Sequence, residues 1–459
     1  MASTYLTKTQ VAPTNAYKGT FSAWIKITEV PGGSGTDRWI FGEYGDSNNH
    51  AYIYLRNSSQ LGWYETDGSG AECSKITTRL LRDTNAWMHI VYAWDTTLAT
   101  AEDRLKLYIN GVRETSFATN DNYSQNYAIR INKVSKTTYI GGVNGYQTMF
   151  DGLMTHVHYC DGSQLDASVF GNTDSVTGEW NINTSPSFTL GNNGFTILQD
   201  NNTVTDQSSN SNNFTVAGGT LTSTKDNPSN VFAVLNLLNV PVSNQPTFSN
   251  GNTTSITNTG SGSYKWGGCT TLGMTSGKFY CEAKATVDST YSRNVIGITG
   301  DSANIARANG SILNGTHSWG YYSSNGAVAG NGGGDLSGYN TTYTTGDIIS
   351  MALDLDNNKL YFRKNNDAWQ NSGDPTSGAS GTGAVSIIAA SATNDGAYFF
   401  AQTDDTGTTS PSKFDFNFGN GYFGTTAVSS AGTNASGNGI FEYDVPTGYT
   451  ALSTKGLNL

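Results

Sequence analysis

The stretch from Gly346 to Lys364 constrains the fold more than any other part of the sequence, because its apolar residues alternate with a period of two. They are Ile349, Met351, Leu353 and Leu355. This is the period of a β-strand with one buried face. Residues 356–358, Asp-Asn-Asn, tolerate the positive φ of a tight turn, and Leu360 and Phe362 then resume the apolar face. The pattern predicts a β-hairpin that covers a core.

A second hairpin signal lies between Trp87 and Arg113, in the first half of the chain. Leu105, Leu107 and Ile109 alternate with polar residues, and Asn110-Gly111 follows them. Asn-Gly is the strongest short signal for a hairpin turn. Because 459 residues suffice for more than one domain, the two hairpins predict an all-β chain with two β-sandwich (jelly-roll) domains in tandem and almost no helix.

Composition and charge exclude several classes of partner. The net charge is −11 and the sequence has no basic cluster, which argues against a surface that follows nucleic-acid phosphates. The most apolar segment, Val231 to Val240, is too short to span a bilayer, so we expect no membrane insertion. Met1 to Lys18 shows no signal-peptide pattern, which predicts a protein made and kept in a cytoplasm.

The first half of the chain carries motifs typical of one β-sandwich family. They are FSAWIK at 21–26, WMHIV at 87–91, LYING at 107–111, IGG at 140–142 and FDGL at 150–153. Together they resemble the laminin-G/concanavalin-like jelly roll. The opening MASTYLTKT, the segment from Ser163 to Trp180 and DQSSNSNNFT at 206–215 are similar to laminin-G-like modules of tailed-bacteriophage structural proteins.

The second half resembles a SPRY domain. The likeness is carried by residues 277–282 (GKFYCE), 319–321 (WGY), 346–347 before the hairpin, and 416–419 (FNFG). The ending FEYDVPTGYTALSTKGLN is similar to the ending of SPRY domains in phage proteins, and it should return as a strand. We therefore predict a jelly roll at residues 1–215, an ordered connector at 216–246, and a SPRY-like β-sandwich at 247–459.

The resemblance implies a non-enzymatic virion structural protein of fibre, spike or head-fibre type that attaches a phage to host-surface glycan. Its expected place is the virion surface, after assembly in the cytoplasm of an infected bacterium, and its expected partners are other virion proteins of the capsid or tail and a host-surface glycan or receptor. Self-association into a homo-oligomer is compatible with this role. The alternative is a capsid decoration or virion-assembly protein that binds other virion proteins.

Catalytic and metal patterns are mostly absent from the sequence. A polysaccharide depolymerase is disfavoured, since no strand carries the carboxylates that retaining glycosidases of this fold place in one cleft, and we expect no catalytic residue.

His156 and His158 are two apart and could share a face, with His89 as a third metal ligand; a polar strand face is the alternative. Asp206, Asn210 and Asn212 form an oxygen-rich loop that is a candidate for Ca²⁺, although one carboxylate favours a plain Asx-turn.

Aromatic residues beside Gly, Asn and Ser are the remaining binding signal. Aromatic faces rimmed by amides suit sugars and protein contacts alike. We predict that the loops at 323–343 and 365–383 lie together beside the hairpin and present exposed rings. The candidate binding residues are Tyr322, Tyr339, Tyr343, Trp369 and Trp63.

Overall fold

The computed structural model describes all residues except 1–3, 30–36, 69, 146–147, 200–202, 259, 261–263, 288–293, 333, 337, 406–410 and 459, and the side chains of residues 148 and 287. The chain divides into two compact units. The first unit comprises Met1–Ser223 and Asn227–Ser229, and the second comprises Thr224–Asp226 and Asn230–Leu459. Over the described residues both units are built from β-strands, with one short α-helix, which confirms the predicted fold class.

The first unit contains seventeen described strands. They are β1 (Tyr5–Thr9), β2 (Lys18–Ile27), β3 (Arg38–Asp46), β4 (Asn49–Leu55), β5 (Gln60–Asp67), β6 (Ala71–Leu80), β7 (Met88–Asp95), β8 (Leu105–Ile109), β9 (Val112–Arg113), β10 (Phe117–Asn120), β11 (Thr137–Ile140), β12 (Thr148–Met149), β13 (Gly152–Asp161), β14 (Gly171–Thr173), β15 (Trp180–Ile182), β16 (Phe195–Ile197) and β17 (Thr215–Gly218).

Two sheets of the first unit enclose its core. A nine-stranded sheet has the order β10-β6-β5-β4-β3-β11-β1-β17, with β12 paired to β3, and a six-stranded sheet has the order β16-β13-β2-β7-β8-β9. Alternate residues of both sheets, such as Ile53 and Trp63 from one and Phe21 and Ile90 from the other, meet in one apolar cluster. A separate hairpin, β14–β15, completes the unit.

The second unit contains fifteen described strands and the α-helix. They are β18 (Thr247–Ser249), β19 (Thr254–Ile256), β20 (Lys265–Cys269), β21 (Lys278–Val287), β22 (Asn294–Thr299), α1 (Ser302–Ala308), β23 (Ser318–Tyr322), β24 (Val328–Gly330), β25 (Ile348–Asp354), β26 (Lys359–Lys364), β27 (Val385–Ser386), β28 (Phe399–Asp404), β29 (Lys413–Asn417), β30 (Tyr422–Phe423), β31 (Thr426–Ala427) and β32 (Thr450–Ala451).

The second unit is also a sandwich of two sheets. An eight-stranded sheet has the order β18-β19-β29-β21-β25-β26-β27, with β32 paired to β21, and a five-stranded sheet has the order β20-β28-β22-β23-β24. Helix α1 packs Ile305 against Trp266 and Val295 on the outer face of the five-stranded sheet. It ends at Ala308, and the following residue, Asn309, adopts the left-handed conformation with φ 47°.

Both predicted hairpins are present. Strands β25 and β26 pair antiparallel, with Met351 opposite Phe362, and Asn358 in their turn has φ 55°. Strands β8 and β9 are joined by Asn110 and Gly111, whose φ values are 47° and 76°. A type I′ turn requires a positive φ at both of these positions. The local turn chemistry of these residues was therefore sufficient to place both turns.

The C-terminal segment returns to the second unit as expected. Strand β32 pairs parallel with β21. The buried Glu282 of β21 holds the preceding residues, because its carboxylate accepts hydrogen bonds from the backbone N–H groups of Glu442 and Tyr443 at 2.8 and 2.9 Å. The segment predicted as a connector is divided: β17 joins the first unit, whereas Phe232 and Leu235 are buried in the second.

Candidate functional site

The described residues form a candidate site in a cleft on the outer face of the five-stranded sheet in the second unit. Successive residues of a strand point to opposite faces, so Tyr321 enters the core while Tyr322 lies outside. Tyr321 is fully buried; Tyr322 is half-buried, and it packs at the edge of the cluster under α1. Ala329 of the neighbouring β24 lies on the same outer face, because its pairing partner is Gly320.

The ends of two further strands bring in the other wall of the cleft. Lys265 pairs with Asp404 in the antiparallel β20–β28 ladder. Tyr264, just before β20, and Asp405, just after β28, therefore emerge side by side. The resulting cavity has a volume of about 250 Å³ and is lined by Tyr264, Leu313, Asn314, Tyr322, Asn325, Ala329, Asp335 and Asp405.

A tight turn between β23 and β24 positions the amide of Asn325 at this cleft. The turn closes with a hydrogen bond from the Gly326 N–H to the Tyr322 carbonyl at 3.1 Å, and Gly326 has φ 71°. The Asn325 Oδ1 accepts from the Ala327 N–H at 3.0 Å, while its Nδ2 lies 3.4 Å from Asp335 Oδ2. Short local contacts thus hold an amide and a carboxylate beside the Tyr322 ring.

The chemistry of this lining suits a small polar ligand. Tyr264 is 40% exposed, and Asn314, Asn325 and Asp335 are exposed. Phenol rings offer faces for stacking, and the amides and carboxylates offer hydrogen-bond donors and acceptors. Of the predicted residues, Tyr322 is the one that lines this cleft.

The predicted exposure of Tyr339 and Tyr343 is wrong. The loops that carry residues 339 and 369 do meet beside the hairpin, as expected, because the Tyr339 hydroxyl donates to the Gly383 carbonyl at 2.6 Å. However, Tyr339 is 6% and Tyr343 is 2% exposed. The Tyr343 hydroxyl donates to the Asn294 carbonyl at 2.8 Å. Both rings close the end of the core, and burial raises the pKa of Tyr339 to about 12.

The two predicted tryptophans differ. Trp63 is fully buried in the core of the first unit, where its Nε1 donates to the Tyr123 hydroxyl at 2.6 Å, so its prediction as a binding residue is wrong. Trp369 is half-buried. The Arg363 guanidinium lies 4.8 Å from the Trp369 ring centre, and the Tyr443 ring lies 5.5 Å from the same guanidinium. Part of the Trp369 ring is therefore covered by the Arg363 side chain.

The candidate calcium residues come together, but their side chains are engaged in hydrogen bonds to backbone groups of their own loop and of the segment around β16. The Asp206 carboxylate accepts from the backbone N–H groups of residues 196, 208 and 212 at 2.7–2.9 Å. The Asn210 and Asn212 side chains both donate Nδ2 to the Gly194 carbonyl. This is the Asx-turn arrangement that the sequence left open as the alternative to a Ca²⁺ site.

The histidines of the metal hypothesis are held by neighbouring side chains. His156 has φ 49° and lies where the β13–β2 register shifts, so the strict alternation with His158 is broken. His89 Nε2 lies 2.8 Å from the Ser22 hydroxyl, and its Nδ1 accepts from Trp180 Nε1 at 3.1 Å. Burial lowers the pKa of His89 and of His158 to about 3.

The part of the chain that the structure describes has neither a cluster of metal-ligating side chains nor a membrane-spanning helix. There, no three His, Cys, Asp or Glu side chains form a group that could hold a metal ion. Within the same residues, no helix has the length and hydropathy needed to cross a bilayer.

Most residues of the cleft were not predicted from the sequence. Tyr264 follows Ser261-Gly262-Ser263, which is the same aromatic-beside-glycine signal that identified Tyr322. Asp335 and Asp405 lie in segments rich in Gly, Thr and Asp and resemble ordinary turn residues. Their proximity depends on the β20–β28 and β23–β24 pairings, which no local pattern encodes.

Comparison with known proteins places the first unit in a recognised fold class. Residues 2–170 match the family model of the concanavalin A-like lectin/glucanases superfamily, which supports the predicted jelly roll. No curated protein matches the chain.

Three solved structures are similar to parts of the chain. The SPRY domain of human HERC1 is 18% identical with a TM-score of 0.27, covering 37% of this chain and 91% of its own. A heptameric SAP-like pentraxin from Limulus polyphemus is 14% identical with a TM-score of 0.28, and the match covers 43% of this chain and 89% of the pentraxin chain. The IT-sialidase CBM40 of Ruminococcus gnavus, bound to α2,3-sialyllactose, is 16% identical with a TM-score of 0.23, and the match covers 30% of this chain and 72% of the CBM40 chain.

Proposed function

We propose that the protein is a non-enzymatic structural protein of a tailed-phage virion that attaches the particle to a host-surface glycan. The observation that carries the glycan-binding part is the cleft of the second unit. Two tyrosine rings, two asparagine amides and two carboxylates surround a cavity of about 250 Å³. Aromatic faces and amides in one small cavity match the apolar faces and hydroxyl groups of a sugar ring.

Two further observations support the proposal. The family model over residues 2–170 is described as one of lectins and glucanases. The phage origin and the virion surface as location are supported by the sequence resemblances at residues 1–9, 163–180 and 206–215. The expected partners are a host-surface glycan and other virion proteins.

A binding experiment tests the glycan function. Purified protein is applied to an array of bacterial surface glycans, together with Tyr322→Ala and the control Tyr17→Ala. Tyr17 is 38% exposed in the first unit and is not among the residues that line the cleft, so the control removes a tyrosine ring from another surface. We expect Tyr322→Ala to weaken binding at least tenfold and Tyr17→Ala to leave it unchanged.

The opposite outcomes are equally specific. Equal loss in both variants, or no glycan bound by the parent protein, would contradict glycan attachment. Binding to purified virions or capsids in place of cells would favour the alternative, a decoration or assembly protein.

The non-enzymatic part of the proposal has its own test. Asp335 and Asp405 both line the cleft. A glycosidase would need two carboxylates, one on each side of the scissile bond. We expect no new reducing ends when the protein is incubated with host capsule or lipopolysaccharide. Cleavage that Asp335→Asn or Asp405→Asn abolishes would identify a depolymerase instead.

A further inference from the structure

We propose that the cleft of the second unit selects a sugar that carries a free, positively charged amine. This inference rests on the proposed glycan binding and concerns which class of sugar the cleft takes. Its starting point is the charge of the eight lining residues that the structure describes, of which Asp335 and Asp405 are acidic and none is lysine or arginine. An anionic sugar such as a uronic or sialic acid would meet two like charges there, which is unfavourable.

The aromatic rings favour the same sign of ligand charge. The face of a phenol ring is negative and attracts cations within about 6 Å of its centre. Tyr264 and Tyr322 line the same cavity as the two aspartates. An ammonium group bound there would therefore gain from the rings and from the carboxylates together, whereas the neutral hydroxyl of an ordinary hexose would gain only hydrogen bonds.

The size of the cavity and its amides favour a sugar over a lysine side chain of a protein. Its volume of about 250 Å³ is below the roughly 300–1,000 Å³ of pockets that enclose drug-sized ligands, so it fits a single sugar ring. Asn314 and Asn325 add amide donors and acceptors at the same rim, which the ring hydroxyls of a sugar can pair. A lysine side chain would bring the charge but no hydroxyl groups for these amides.

The test compares three simple glycosides on the full-length protein by saturation-transfer NMR and titration calorimetry at pH 6.5. The probes are methyl β-glucosaminide, its N-acetyl derivative and methyl β-glucoside, which share one ring and differ at a single substituent. We expect the free amine to bind at least tenfold more tightly than the other two. The competitor Nα-acetyl-lysine amide should displace it only weakly.

Matched variants assign the preference to the cleft. Asp335 is exposed, so Asp335→Asn removes one charge at little risk to folding and should reduce the preference for the amine. Asp367→Asn, at an exposed aspartate outside the lining, should leave the preference unchanged. Tyr322→Ala should weaken binding of all three glycosides.

The outcomes separate this inference from the proposed function. Equal binding of the three glycosides, or Tyr322-dependent binding of host glycans without any amine preference, overturns the inference and leaves glycan attachment standing. Displacement by the lysine derivative as strong as by the amino sugar overturns it in favour of a protein partner. If no glycan binds, either on the array or in solution, both the amine preference and the proposed glycan attachment are wrong.

Discussion

Glu65 is a carboxylate placed inside the core of the first unit. It lies on β5 two residues after Trp63 and therefore on the same inner face, and it is fully buried. Its Oε2 accepts from the Tyr123 hydroxyl at 2.5 Å, and its Oε1 accepts from the Arg130 backbone N–H at 3.0 Å. Desolvation outweighs these hydrogen bonds and raises the pKa of Glu65 from 4.5 to about 7.

The raised pKa predicts a definite pH dependence of stability. The folded state binds the Glu65 proton more tightly than the unfolded chain does, so this stabilisation is complete below pH 4.5 and is lost as the pH rises through about 7. The shift corresponds to about 3 kcal/mol of unfolding free energy. Glu65→Gln removes this contribution, so the unfolding free energy of the variant relative to the parent should rise as the pH increases from 4.5 to 8, as measured by denaturation at each pH.

A control variant isolates this effect. Glu179 is exposed, and Glu179→Gln should leave the pH profile as in the parent protein. Parallel profiles for the parent and Glu65→Gln would mean that Glu65 titrates normally in the folded state.

Tyr339 and Trp369 provide a second prediction at this scale. Tyr339→Ala removes a buried ring and should lower the unfolding free energy by roughly 3–5 kcal/mol. Trp369→Ala removes a half-buried ring that contacts the Arg363 guanidinium and the Tyr361 ring, and about 1–2 kcal/mol is expected. Chemical denaturation measures both, and equal losses would contradict the difference in burial.

Among the elements, the β8–β9 hairpin depends on a glycine for two separate reasons. Gly111 has φ 76°, and a Cβ at this position would lie 2.3 Å from the ring of Trp180 on β15. The same contact places Trp180 against the turn, where its Nε1 reaches His89. The glycine therefore serves the turn and the docking of the β14–β15 hairpin.

The chain offers a matched comparison for these two roles. Gly178 also has φ 76°, but no atom lies within 4 Å of the position of its Cβ. Gly178→Ala should cost about 1–2 kcal/mol for the left-handed backbone alone. Gly111→Ala should cost about 1–3 kcal/mol more because Trp180 must move. Equal losses of unfolding free energy in the two variants would show that the Trp180 ring moves aside without a measurable loss of stability.

The elements also show which features the sequence could reveal. Both hairpins follow from alternation and turn residues that are neighbours in the chain, so local patterns were sufficient. Tyr322 and Tyr339 lie in similar surroundings of Gly, Ser and Asn, yet one lines a cleft and the other closes the core. That difference arises from contacts between distant residues, such as Tyr339 with Gly383, which a single sequence does not display.

For the molecule as a whole, the division into units predicts which fragments fold. Phe232, Ala233 and Leu235 precede the first strand of the second sandwich but are at most 2% exposed within it. A fragment of residues 224–459 should therefore unfold cooperatively, as judged by denaturation followed by tryptophan fluorescence. The shorter fragment 247–459 lacks this strip and should be several kcal/mol less stable or fail to fold. Equal stability of the two would place the strip outside the cooperative unit.

The same strip lies beside the returning C-terminal segment. Phe232 forms an isolated bridge with Ser453, and the Thr454 N–H donates to the Val231 carbonyl at 2.9 Å. The entrance and the exit of the second unit are thus neighbours in space. This adjacency makes the unit a natural candidate for circular permutation. A short linker from residue 455 to residue 230, with new termini opened between the exposed residues Ala379 and Ser380, should preserve the sandwich and its cleft.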